Sequence, residues 1–211
     1  MNKILMWVLI ALVVLVSVFA AFVVYESHQV SYDTIKKPAI YLYPAEDSFV
    51  NVQLDVNGKI IKDIPEYKNG WKVFATKEGI IENKYDYLFY EAILRKIELP
   101  SYGWVVGYDD LENWLNVNLI KFGLNEKEKN QFKDYWLKEL TKSEYYEIKL
   151  FEDSFLKENM NLIISPQPDT LIRLNFNFKP LKEKIEISEP TIITPKRNGF
   201  TVVEWGGRLD Q

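Results

Sequence analysis

Between Lys3 and Glu26 the chain runs through 22 residues, 4–25, without a charge, and this stretch limits where the rest of the protein can reside. As a helix rising about 1.5 Å per residue it reaches about 33 Å, enough for a hydrocarbon core of about 30 Å. Fifteen of the 22 are Ile, Leu, Val or Phe, each favouring the bilayer centre by roughly 0.3–0.6 kcal/mol. Trp7 and Tyr25 stand near the two ends, where amphipathic rings prefer the interface. The expectation is a single-pass anchor over residues 1–25, with residues 4–25 in the lipid bilayer. The rival reading is a cleaved signal peptide ending near Val18-Phe19-Ala20. Against it, the apolar run outlasts a signal core of about 7–15 residues and continues past that site. With Lys3 on one flank and Glu26 on the other, the positive-inside rule puts the amino terminus in the cytoplasm and the remainder outside.

That remainder is acidic. Lys3 is the one charged residue before Glu26, which leaves 25 basic residues against all 30 acidic ones. Nucleic acid and anionic lipid surfaces both need a basic footprint, so neither is expected as a partner. Lys127, Lys129 and Lys133 alternate with Glu126, Glu128 and Asp134, a mixture that reads as a solvated helix face. The chain has no cysteine, which removes disulfides, thiolate catalysis and cysteine zinc sites. Its one histidine, His28, lies in a polar stretch, residues 26–37, that ends before Pro38 and reads as a tether. A Ser-His-Asp arrangement or a histidine zinc site within the domain is therefore not expected. Gly206-Gly207 precedes no helix and no Lys-Ser/Thr pair, so it is no phosphate loop and reads as flexible chain. No cofactor and no metal are expected.

Residues 38–211 read as one β-rich domain. Val50, Val52, Leu54 and Val56 alternate with Asn51, Gln53 and Asp55, the pattern of a half-buried strand. It runs into Asn57-Gly58, a hairpin signal, and returns through Ile60 and Ile61. Asn69-Gly70 marks a turn before Trp71-Lys72-Val73-Phe74. Ile172, Leu174, Phe176 and Phe178 share a face opposite Arg173, Asn175, Asn177 and Lys179, and Ile185 and Ile187 continue the rhythm. Asn198-Gly199 introduces a last strand, Phe200 to Trp205. Two helices interrupt this order at about 109–141. Asp109 with Glu112 suggests a capping box before a stripe of Leu111, Trp114, Leu115, Leu119 and Phe122, with Gly123 placed as a stop. Asn125 with Glu128 repeats the device before Phe132, Trp136 and Leu140. The expected fold is mostly β (α+β): an antiparallel β-sandwich-like domain with an inserted helical hairpin, preceded by one transmembrane helix.

Lys37-Pro38-Ala39-Ile40-Tyr41-Leu42-Tyr43-Pro44 opens this domain and Gly199-Phe200-Thr201-Val202-Val203-Glu204-Trp205-Gly206-Gly207 closes it. With Tyr87-Leu88-Phe89-Tyr90-Glu91 and Pro168-Asp169-Thr170 between them, the chain resembles a widespread family of exported or membrane-anchored prokaryotic proteins of unknown function. The resemblance spans about residues 37–207. It implies one continuous domain and brings no mechanism.

Carboxylates are what remains for acid–base chemistry. On a strand Glu91 shares a face with Tyr87 and Phe89, and Glu204 with Phe200 and Val202. Apolar surroundings disfavour a carboxylate's charged form and suit it to general acid duty. Facing each other across one groove at about 5–9.5 Å, Glu91 and Glu204 would make a glycan-directed hydrolase. The plainer reading pairs such groups with Arg173, Arg95 or Arg208, although Arg173 falls on the polar face of its strand. Asp169, after Pro166-Gln167-Pro168, reads as a turn cap. Tyr41, Tyr43, Trp71 and Trp104 are either core or faces on which an envelope glycan stacks. The favoured function is a membrane-tethered, extracytoplasmic binding or structural module of the cell envelope with a glycan or protein partner. The hydrolase using Glu91 and Glu204 is the alternative.

Overall fold

The computed structural model describes residues 12, 15–17 and 33–210. Residues 12 and 15–17 are helical and exposed. The rest of the expected anchor over residues 4–25, and His28 in the tether, lie outside the described residues. Among the described residues no helix is long and apolar enough to cross a membrane. The chain divides into two compact units, Met1–Tyr32 and Asp33–Gln211.

The second unit is mostly β, with two sheets and a few helices. Ten strands run in chain order: β1 (Asp33–Tyr43), β2 (Ser48–Val56), β3 (Gly58–Ile64), β4 (Trp71–Ala75), β5 (Leu88–Leu94), β6 (Trp104–Gly107), β7 (Tyr145–Leu150), β8 (Met160–Ser165), β9 (Thr170–Leu181) and β10 (Thr201–Leu209). Seven form one sheet in the order β3-β5-β1-β10-β9-β7-β6, and β4-β2-β8 form the other. Among the described residues of this unit, three α-helices join them: α1 (Leu111–Lys121), α2 (Glu126–Glu139) and the short α3 (Asp153–Asn159).

The large sheet is apolar on both faces because its central strands alternate between two cores. Ile40, Leu42, Tyr90 and Val202 bury against Val50, Val52, Val73 and Leu162 of the small sheet. Tyr41, Val203, Trp205 and Phe176 bury against Leu115, Leu119, Phe132 and Trp136 of α1 and α2. In Tyr41-Leu42 and Val202-Val203, neighbouring side chains therefore serve opposite cores, as the two-residue period of a strand requires.

The helical hairpin forms close to expectation. Asn125 accepts from the Glu128 amide at 2.9 Å while Glu128 accepts from the Asn125 amide at 2.9 Å, the reciprocal cap. Gly123, at φ +95, ends α1 with the Leu124 amide bonded back to the Leu119 carbonyl. The first helix starts differently: α1 is preceded by a 3-10 turn over Tyr108–Asp110, and its N-cap Asp110 makes no side-chain cap. The expected Asp109–Glu112 box is absent.

Several other expectations are corrected. Asn57-Gly58 closes no hairpin: β2 pairs with β4 and β8, whereas β3 pairs with β5 in the other sheet. Neither residue takes the positive φ that a type I′ turn needs. Asn57 instead bonds through its amide to the Asn159 carbonyl, and a Cβ on Gly58 would strike the Ile93 carbonyl. The glycine is there for close approach where the chain changes sheets. The tether expected to reach Lys37 gives way to β1 at Asp33, where Ile35 is fully buried and pairs with Ala92. Ile185 and Ile187 lie in an irregular connection after β9, without strand structure. That connection lets β10 return parallel to β9, the one parallel pair in an otherwise antiparallel sheet. A parallel pair needs a long crossover, and this one is fastened on the helix side by Arg197 against Glu128. Gly206 and Gly207 are buried within β10 rather than in flexible chain, where a Cβ would meet Pro38 and the Phe176 carbonyl respectively.

Candidate functional site

β1 contains a proline, and a proline inside a sheet lacks the donor its ladder requires. The pairing of β1 slips between Lys36 and Ala39 against β10 and between Ile35 and Ala39 against β5, and Lys37 sits at φ +57 in the left-handed region. Bulges re-aim side chains. Lys36 and Lys37 are consecutive, yet both reach the face that carries α2. Lys36 Nζ lies 2.9 Å from Glu139, and Lys37 Nζ lies 5.8 Å from the Tyr135 ring.

Lys37 is held by aromatics. Its ammonium donates to the Tyr87 hydroxyl at 2.7 Å and stands 4.6 Å from the Tyr87 ring and 4.5 Å from the Phe89 ring. Tyr87, Phe89 and Glu91 project to one side, as their spacing implies, and line an open groove of about 680 Å³ between the β1 bulge, β5 and α2. Glu91 is partly covered and lies 3.8 Å from Lys62 Nζ. Asp86, at the rim, is held below the usual carboxylate range by its bond to Lys127 at 2.7 Å, helped by Gln131 at 3.0 Å. Gln131 in turn accepts from Tyr41 at 2.6 Å. Burial is the main cause that raises the Tyr135 hydroxyl above its ordinary value, with Glu139 and Glu91 adding to it.

Glu204 is elsewhere. It is fully buried on the face of the large sheet that carries the small sheet. There it accepts from Tyr90 at 2.7 Å, Arg173 Nε at 2.7 Å and Asn175 at 3.1 Å. Tyr90, on the opposite side of β5 from Glu91, has its hydroxyl pushed well up by burial first and by Glu204 next. Glu91 and Glu204 therefore occupy opposite faces of one sheet and share no groove. Arg173, expected on a solvated face, is 8% exposed at its side chain and also donates to the Met160 carbonyl at 2.6 Å.

The aromatic candidates separate as well. Tyr41 is fully buried, and burial raises its hydroxyl well beyond the ordinary range. Trp71 is core and donates to the Pro65 carbonyl at 2.7 Å. Trp104 packs on Trp114 and Phe122 and contributes an edge to a second, more apolar groove of about 670 Å³ beside residues 190–195. Tyr43 is half-buried beneath the Arg197 guanidinium, 4.9 Å from its ring. Asp169 caps a turn, although in another segment: it accepts from the Phe200 amide at 2.7 Å. Glu128, expected on a solvated face, is fully buried and clasps Arg197 at 2.8 and 3.0 Å. Among the described residues no group of three or more His, Cys, Asp or Glu side chains is placed to hold a metal ion.

Sequence reasoning found Glu91 with its aromatic neighbours and missed Lys37 and Tyr135. The available signal was Pro38 inside an apolar strand, which marks a strand edge, a strand start or a bulge but does not say where Lys37 points.

The fold and the groove define a β-rich domain with a ligand-sized polar cleft that contains Glu91 and not Glu204. The chain is 48% identical over 61 residues to a protein of Butyrivibrio fibrisolvens described as an uncharacterized protein in the bglA 3' region. The match covers 26% of this chain and 64% of that relative. No family model matches the chain, and no solved structure does.

Proposed function

We propose that the protein is a membrane-tethered module of the cell envelope, anchored by residues 4–25, whose β-sandwich-like domain binds a ligand outside the cytoplasm in the groove above Lys37. The observation that carries this reading is Lys37 itself. A non-glycine residue at φ +57 is costly, and here the bulge directs an ammonium into an open groove over the rings of Tyr87 and Phe89. Strain of this kind clusters at ligand clamps. The groove's volume, about 680 Å³, falls in the range of about 300–1,000 Å³ typical of ligand sites. The resemblance to exported or membrane-anchored proteins supports the address, as does the length of the apolar run. The hydrolase reading named Glu204 as the partner of Glu91, and Glu204 is buried on the opposite face of the sheet, outside the groove.

The absence of cysteine makes the address testable. A single Glu78→Cys substitution gives an exposed thiol at a turn in an otherwise thiol-free chain. The reading expects this thiol to react with a membrane-impermeant maleimide on intact cells, with the full-length chain in the membrane pellet. Labelling only after permeabilisation, or a shortened chain in the soluble fraction, overturns it.

A further inference from the structure

We infer that the groove recognises an acidic saccharide through one oxyanion, a carboxylate or a phosphate, received by Lys37 and Lys84. This inference rests on the proposal that the domain faces the envelope and names the chemistry of that ligand.

The argument is one of local charge balance. Three carboxylates line the groove, and each is already met by a lysine. Glu91 faces Lys62 at 3.8 Å, Glu139 faces Lys36 at 2.9 Å, and Asp86 faces Lys127 at 2.7 Å. Lys127 is not itself part of the lining. Among the described residues, Lys37 and Lys84 are left with no carboxylate oxygen within the 4.0 Å of an ion pair. Both line the groove. Their partners are aromatic: Lys84 stands 4.9 Å from the Tyr85 ring, and Lys37 has Tyr87 and Phe89. Ring faces attract an ammonium without neutralising it. Lys37 has three donors, of which the Tyr87 hydroxyl takes one. The groove is thus electropositive within a domain that carries more acidic than basic residues.

The same balance limits the ligand. A densely charged polyanion would be repelled by the rest of the surface, whereas a saccharide segment presenting one anionic group gains the local attraction alone. The remaining lining is suited to sugar hydroxyls. Gln131 and Tyr135 on α2 and Glu91 on β5 offer donors and acceptors around the groove.

Isothermal titration calorimetry on the full-length chain in neutral detergent tests this. The probes are a glucuronate-bearing disaccharide, the same disaccharide without charge, and a hexose phosphate. The expected result is binding of at least one charged probe, about tenfold or more tighter than the neutral one, and weaker at high salt. The tighter of the two charged probes identifies the oxyanion's source. Lys84→Glu alters an exposed residue and abolishes the preference. Lys37→Asn, which tolerates the left-handed backbone, does the same. Equal binding of charged and neutral probes, unaffected by either variant, overturns the oxyanion while leaving the groove a saccharide site. Failure of every probe to bind overturns the inference, and the cysteine-labelling result then stands or falls separately.

Discussion

Arg173 and Glu204 are direct register partners across the one parallel strand pair, with Nε 2.7 Å from Oε2 and the two side chains 8% and 0% exposed. Removing one partner of a buried pair strands the other charge and costs about 3–5 kcal/mol. Arg173→Met and Glu204→Leu are each expected to lower the unfolding free energy by that order in a denaturant titration. The double variant should recover part of the loss, because both charges then leave the core together. A double variant as unstable as the sum of the singles would show that Tyr90 and Asn175, rather than the ion pair, dominate there.

Glu128 has two duties, capping α2 and clasping Arg197. Glutamine can still accept from the Asn125 amide but cannot carry the charge. Glu128→Ala should therefore be less stable than Glu128→Gln by about 1 kcal/mol, the usual worth of a cap. Thermal melts of the two variants side by side check the order.

Buried tyrosines make the fold sensitive to alkali. Tyr41 and Tyr90 have hydroxyls raised above their ordinary value of 10.0, mainly by burial. A group whose folded value is raised contributes stability that is complete below its unfolded value and is lost as pH rises toward the folded one. Stability should thus fall above about pH 10. In a tyrosinate absorbance titration, exposed tyrosines are expected to ionise first and reversibly, and the buried set only together with loss of the near-ultraviolet circular dichroism. A single smooth titration of all tyrosines with the fold intact would contradict this.

Gly58 and Gly207 lie where a Cβ would strike the carbonyls of Ile93 and Phe176. Alanine at either position should cost about 1–3 kcal/mol through overpacking. Chemical denaturation of Gly58→Ala distinguishes this cause from a turn. A hairpin glycine at positive φ would be spared by asparagine, whereas steric contact makes Gly58→Asn at least as harmful as alanine.

Much of the fold was legible where a residue's partner is the solvent or one core. The alternation of β2, the apolar face of β9, and the stripes of Phe132 and Trp136 all follow local periodicity. The cap at Asn125 and the stop at Gly123 are local as well. What was not legible depends on partners distant in the chain. Asn57-Gly58 has the composition of a hairpin, but Asn159 and Ile93 convert it to a passage between sheets. Arg173 looks solvated until Glu204, across the crossover, accepts a hydrogen bond from its Nε. In the groove, the Tyr87, Phe89 and Glu91 face was readable from strand spacing. Lys37 was not, because only the mismatch that Pro38 creates between β5 and β10 turns it toward α2.

The most direct test of the central claim, that the groove is where the domain meets the envelope, is co-sedimentation of the full-length chain with purified envelope polysaccharide from the source organism. The account predicts that the wild type and Lys72→Glu, exposed on the small sheet, both pellet with the polysaccharide, and that Lys84→Glu stays in the supernatant. Equal retention of all three, or release by Lys72→Glu with Lys84→Glu still bound, would contradict it.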